Sequence, residues 1–190
     1  MTLYRMFDAS TPPAEPYPGC AAVAGYIGGN TPHVWTLAEW QRFAALRQLP
    51  IWVAGLGAGS KSSVQQCAEA VRKALSLGWR AHAHDRRAIV CDMETAVNPA
   101  FLAGFAAVLH SSGFSCWPYG SQAFIFNDPA EDGYWVASYP GPGPNLAFPG
   151  ERAVAHQYAA EVPWQGGAVD LSVVSGSGLA HLGRGPRRAA

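Results

Sequence analysis

AIVCDMETAVNPAFLAGFAAVLHSSGFSCWPYG, residues 88–120, is the stretch whose reading decides the fold. Residues 88–93 form a short apolar run rich in branched side chains, the signature of a buried strand. Asn98 then stands where a helix N-cap belongs, with Pro99 at the first helical position, and the spacing predicts a helix over 99–110 with Gly113 just past its end. A second strand follows over 114–119. Strand, helix and strand in this order make a crossover unit, the connection that parallel neighbours in one sheet require.

The same alternation extends upstream. Residues 3–8 and 23–27 read as strands, followed by a helix over 37–47 in which Thr36 and Glu39 form a capping box. Another strand at 50–54 leads into a helix over 62–77, whose Val64, Cys67, Ala68, Val71 and Leu75 fall on one face and which Gly78 stops. Downstream the helices thin out. Residues 134–139, 154–158 and 169–174 read as strands joined by Gly- and Pro-rich loops such as PGPGPN, 140–145. Eight strands suggest closure. The expected class is α/β, an irregular (β/α) barrel of about eight strands with its helices reduced in the C-terminal third. Residues 1–176 would form one domain and 177–190 a frayed tail, in which Arg184, Arg187 and Arg188 stand among Gly and Ala. At 190 residues the chain falls below the ~250 of a regular eightfold barrel, so helices must be missing or shortened. Such barrels place their active site at the carboxyl ends of the strands.

Composition narrows the function classes. The 13 Lys and Arg balance the 13 Asp and Glu, which gives no basic surplus for nucleic acid or an anionic membrane. Hydrophobic residues make up 49% and charged residues 14%, proportions that exclude a disordered chain. No apolar run approaches the ~20 residues of a membrane-spanning helix. The opening MTLYRMFDAS carries no signal-peptide pattern, so the expected location is the host cytoplasm with release by another route, or a phage virion. The four cysteines lack metal or redox spacing, and Cys67, Cys91 and Cys116 read as small buried thiols. Two Lys beside 11 Arg suggest a GC-rich genome such as that of an actinobacterium or its phage.

Carboxylates carry the chemistry. Asp92 and Glu94 lie two apart at a strand end and would project to the same side, where each perturbs the other. One would hold a proton near neutrality while the other stays ionised, the requirement for acid/base work on a glycosidic bond. Alone, the pair reads rather as a solvated strand terminus or a helix-dipole partner. Asp8 at the end of the first strand and Asp170 in the last change that weighing, because closure brings the first and last strands together. Asp8, Asp92, Glu94 and Asp170 would then converge at one mouth. For Asp170 the alternative is a buried carboxylate that holds a loop by hydrogen bonds.

In this order, FDAS (7–10), GYIGG (25–29), DME (92–94), YG (119–120), YWVASY (134–139), HQYA (156–159) and GGAVDLSVV (166–174) resemble the glycoside hydrolase family 25 lysozymes and a related glycoside-hydrolase-like domain of actinobacterial and phage proteins. The resemblance implies a (β/α) barrel that cleaves the β-1,4 bond of peptidoglycan with retention of configuration, without metal or cofactor. It implies Glu94 as general acid and Asp92 as the partner supporting the oxocarbenium-like transition state, directly or by orienting the substrate's N-acetyl group. Asp8 and Asp170 would complete the floor, with Tyr26, Tyr119, Trp135, Tyr139 and Gln157 as sugar contacts. Three features depart from a typical muramidase: the short segment after Glu94, Pro118 inside a strand, and the PGPGPN loop.

Other signals are weaker. GLGAGSKS (55–62) has the spacing of neither a dinucleotide fingerprint nor a P-loop and reads as a strand-to-helix turn. His82, His84 and Asp85 read as a solvated loop, no G-x-S-x-G elbow occurs, and Cys91 should point away from Asp92. The rival to a cell-wall glycosidase, such as an endolysin, is a non-catalytic module that binds glycan at the same mouth, with phage structural proteins as its partners.

Overall fold

The computed structural model describes residues 2–80, 86–93, 98–121, 132–139 and 153–184. Glu94, the 82–85 loop, the 140–145 loop, Arg187 and Arg188 lie outside them. Along the chain run β1 (Leu3–Asp8), β2 (Ala22–Gly29), α1 (Leu37–Arg42), β3 (Arg47–Val53), α2 (Ser63–Ser76), β4 (Arg87–Asp92), α3 (Pro99–Ser111), β5 (Phe114–Ser121), β6 (Tyr134–Ala137), β7 (Ala153–Trp164), β8 (Gly167–Ser175), α4 (Gly176–His181) and β9 (Gly183–Arg184). Strands β1 to β8 pair in sequence, and β8 pairs back onto β1, so the barrel is closed. Neighbours from β1 to β7 are parallel, whereas β8 runs antiparallel to both β7 and β1.

That reversal has a local cause. Only Gln165 and Gly166 separate β7 from β8, both at positive φ (50° and 80°), the geometry of a two-residue hairpin. A parallel pair would need a crossover of a dozen residues or more. The hairpin also makes β7 and β8 longer than the expected 154–158 and 169–174, because it projects past the barrel wall. Its tip is tied to the β1–β2 connection: Trp164 Nε1 donates to the Glu15 carbonyl at 3.2 Å, and the Tyr17 and Trp164 rings meet edge-on at 5.2 Å.

Alternation along the strands divides the core in two. Inward-facing Met6, Ala24, Ile51, Val90, Trp117, Trp135 and Val174 fill the barrel. Outward-facing Phe7, Val23, Cys91 and Cys116 join a second cluster with helix residues such as Cys67, Ala70, Leu102 and Phe105, and the Phe7 ring meets that of Phe43 edge-on at 5.7 Å. Cys91 thus faces away from Asp92, as the strand period requires. All four cysteines are free. Burial pushes the Cys67 thiol up to about 12 and holds Cys91 well above the ordinary thiol range, so neither supplies a thiolate nucleophile near neutral pH.

Local signals set the helices. Thr36 and Glu39 form the expected capping box on α1, while Ser62 and Gln65 form a second one on α2. Helix α1 stops at Arg42, short of the expected 47, because Arg47 already belongs to β3, where its N–H donates to the Ala21 carbonyl at 3.0 Å. Trp35, Trp40 and Trp79 then close that side, with ring centroids 4.8 Å and 4.7 Å apart in succession. This packing explains two glycines of GYIGG. A Cβ on Gly25 would stand 2.6 Å from the Trp35 ring, and Gly29 has φ +89° with its absent Cβ 1.9 Å from the Val53 carbonyl oxygen.

The chain after Gly176 requires a correction: residues 177–184 are not frayed. Ser175 caps α4 by accepting from Gly178 N at 2.9 Å, and β9 pairs antiparallel with the start of β3. Leu182, fully buried, plugs the amino end of the barrel. Arg87 fixes it by donating to the Leu182 carbonyl at 2.9 Å.

Candidate functional site

Strand parity builds the mouth. Asp8 is the last residue of β1 and Asp92 the last of β4, each two residues beyond an inward-facing core residue, Met6 and Val90. Both therefore face inward at the carboxyl end of a parallel strand. Asp170 reaches the same end from the other direction, because β8 is antiparallel, and it stands directly opposite Asp8 in the β1–β8 register. Three of the four expected acids thus share one inner face at one end of the barrel. Asp8 and Asp92 are only 5% and 3% exposed. Glu94 lies outside the described residues.

Side chains and backbone hold these acids in place. The Tyr119 hydroxyl donates to Gln157 Oε1, Gln157 Nε2 donates to Asp170 Oδ2 at 2.8 Å, and the Glu161 N–H donates to Asp170 Oδ1 at 2.7 Å. Glu161 has φ 54° and sits in the irregular stretch of β7, so Asp170 does hold a piece of backbone, as its structural alternative anticipated. It also sits beside Asp8, so the two readings are compatible. Asp92 is fixed through its main chain and that of its neighbour: its carbonyl accepts from Ala54 N at 2.9 Å, and Met93 N donates to the Tyr119 carbonyl at 3.1 Å.

Burial pushes the Asp170 carboxyl above its ordinary value; the hydrogen bonds from Glu161 N and Gln157 oppose the shift, and the Glu161 charge adds to it. An acid whose native pKa is raised favours folding while it is protonated. Its contribution is fully present below about 3.8, the unperturbed value, and is lost as pH rises through the raised native value. Asp170→Asn removes that dependence. The stability of Asp170→Asn relative to the parent should therefore rise with pH across the carboxylate range, as read by urea unfolding at a series of pH values. A constant difference would show that Asp170 titrates alike in both states.

The candidate sugar contacts divide by depth. Gln157 is fully buried and Tyr119 nearly so, which makes them supports of Asp170. Trp135 corrects the expectation of a sugar platform: it is 1% exposed, its indole N–H donates to Ser172 Oγ at 3.1 Å, and its ring lies 4.8 Å from that of Tyr119. Tyr26 is half-buried against the inner core. Tyr139, 49% exposed, is the outermost of the five. Beside it opens a cavity of about 420 Å³ lined by Tyr119, Gly120, Ser121, Ala137, Ser138 and Tyr139. Ser121 and Ser138 escaped the sequence reading, although Ser121 lies two residues past Tyr119 and shares its face. Among the described residues no group of three or more His, Cys, Asp or Glu is placed to hold a metal ion.

No protein-family model matches the chain, and no curated protein matches its sequence. Solved structures do. An uncharacterized protein of B. stearothermophilus superposes with a TM-score of 0.75 at 16% identity, covering 94% of this chain and 99% of that one. A lysozyme from Streptomyces coelicolor gives 0.60 at 17% identity over 85% and 84% of the two chains. A muramidase from Acremonium alcalophilum gives 0.61 at 14% identity over 94% and 99%. At these identities the likeness speaks for architecture, and it agrees with the strand order: the chain shares with these structures the fold of an irregular α/β barrel closed by eight strands.

Proposed function

We propose that this protein is a peptidoglycan-directed glycosidase of the N-acetylmuramidase type, which hydrolyses a β-1,4 bond with retention of configuration. The observation that carries the reading is the placement of Asp8, Asp92 and Asp170 on one inner face at the carboxyl end of a barrel with a lysozyme-like fold. Asp170 has a structural use in holding the Glu161 backbone, but burying Asp8 and Asp92 at the same end is costly for a purely structural barrel. In this reading Glu94 donates the proton to the leaving oxygen. Asp92 stabilises the oxocarbenium-like transition state or orients the N-acetyl group that does so. Asp8 and Asp170 set the field around them, while Tyr119 and Gln157 keep Asp170 in place. Tyr139 offers an aromatic face to a pyranose ring.

The test is direct. Purified cell-wall sacculi incubated with the protein should release reducing ends, and proton NMR taken early should show the β-anomer before mutarotation, the mark of a retaining route. Sacculi that are bound but never cut would overturn the proposal and leave a glycan-binding module built on the same mouth.

A further inference from the structure

The turn 55–62 plays no part in the mouth chemistry, yet it forms one wall of a cavity of about 420 Å³ whose lining includes Asn30, Trp52, Gly57, Ser60, Lys61 and Glu69. That volume falls within the ~300–1,000 Å³ of small-molecule sites. A second cavity, of about 560 Å³, shares Trp52 and Glu69 with the first and continues along α2 past Val34 to Arg72 and Lys73. Together they form a two-lobed groove. It begins at the carboxyl ends of β2 and β3, next to the catalytic candidates, for Ala54 at the start of the turn donates its N–H to the Asp92 carbonyl.

The first lobe is a built site. Gln66, buried beneath the turn, makes four hydrogen bonds: Oε1 accepts from Trp52 Nε1 at 3.3 Å and Gly55 N at 2.9 Å, and Nε2 donates to the carbonyls of Gly55 at 2.7 Å and Lys61 at 2.8 Å. One side chain thus fixes the indole, both ends of the turn and the start of α2. Within this fixed wall the N–H groups of Leu56 and Gly57 have no partner among the described residues, and Gly57 is open to solvent, so a ligand in the lobe can reach it. Lys61 and Glu69 close an ion pair at 2.5 Å, so the lobe offers hydroxyl, amide, ammonium and carboxylate groups around an apolar indole with no net charge. A simple anion would meet Glu69 and a simple cation Lys61. A polyhydroxylated ring satisfies both.

The second lobe differs. Ile27, Val34 and Trp52 line it opposite Arg72 and Lys73, and Glu69, shared with Lys61 and 3.9 Å from Arg72, leaves a cationic surplus. We infer that this groove binds an oligosaccharide bearing carboxylate substituents, one sugar ring in the lobe beside the turn and an acidic substituent toward Lys73, as a site distinct from the mouth. The choice of probe rests on the cell-wall reading; the groove itself is argued from its own lining.

The test uses a tetrasaccharide of alternating N-acetylglucosamine and N-acetylmuramic acid, titrated into the full chain in a Glu94→Gln background so that turnover does not shorten the probe. Binding should shift the NMR amide signals of Asn30, Gly57 and Ser60. Gly57→Leu fills the lobe without strain in the fold, since a Cβ at Gly57 meets nothing within 4 Å. It should weaken that response about tenfold, the worth of one or two hydrogen bonds. Lys73→Met should remove any preference over the neutral N-acetylglucosamine tetramer and flatten the salt dependence. Shifts confined to the mouth, or a response indifferent to Gly57→Leu, would overturn the groove site and leave the mouth reading standing. Shifts at the groove without hydrolysis by the parent protein would support the groove and overturn the mouth. No shift at either place overturns the groove, while the sacculus assay still judges the mouth.

Discussion

Replacing Glu94 with Gln should lower the release of reducing sugar from cell walls by about 10²–10⁴-fold, the usual worth of a general acid, and leave the urea midpoint within error of the parent. Gln keeps the shape and the hydrogen-bonding reach of Glu but has no proton to give. The expectation rests on position. Asp92, two residues earlier in the sequence, closes β4 on the inner face and is almost fully buried, so its own charge is costly there. That is the condition under which one acid keeps its proton while a neighbour stays ionised. Asp92→Asn should lower the rate as well, through lost stabilisation of positive charge at the reacting carbon. A Glu94→Gln protein that hydrolyses at the parent rate would move the acid role elsewhere, and Asp170, whose carboxyl burial already raises, would be the first group to examine.

What the sequence told in advance and what it withheld follow one physical division. Capping is local, so Thr36 with Glu39 and Asn98 with Pro99 announced themselves within a few residues, whereas the expected apolar face of α2 needs correcting: Val64 and Leu75 are exposed and the helix buries Gln66, Cys67, Ala70 and Ala74 instead. The inward face of each strand follows from parity once one residue is assigned, which is why Asp8, Asp92 and Asp170 could be placed together beforehand. The failures lie where distant segments decide. Residues 177–184 carry two glycines and no strong propensity, and their order comes from Arg87, 95 residues before Leu182, and from the start of β3. The length of β7 likewise depends on Glu15, 149 residues before Trp164. Parity identifies a shared face, and depth along that face is a separate matter. Tyr119, Trp135, Tyr139 and Gln157 all took sugar-contact roles from the resemblance, yet the structure seals three of them beneath the mouth and leaves Tyr139 outside.

That difference in depth makes Trp135→Ala the second large effect, and the effect should be on stability. Removing a fully buried indole typically costs about 3–5 kcal/mol, from lost transfer energy together with the cavity left behind. Here the neighbours have little freedom to collapse: the ring packs on Tyr119, whose hydroxyl is engaged with Gln157, and strand β6 is held between β5 and β7. The Ser172 hydroxyl also loses the indole N–H it accepts, a further cost for a buried polar group. Urea unfolding should show the whole loss in Trp135→Ala. Trp135→Phe, which keeps most of the ring and forfeits the hydrogen bond, should recover the larger part. Tyr139→Ala should behave oppositely, with stability within about 0.5 kcal/mol of the parent, as for most exposed positions, and weaker binding to sacculi. If Trp135→Ala instead kept its stability and lost glycan binding, ligand would have to reach below the Tyr119–Gln157–Asp170 chain, and the floor of the site would lie one layer deeper in the barrel than the carboxylates.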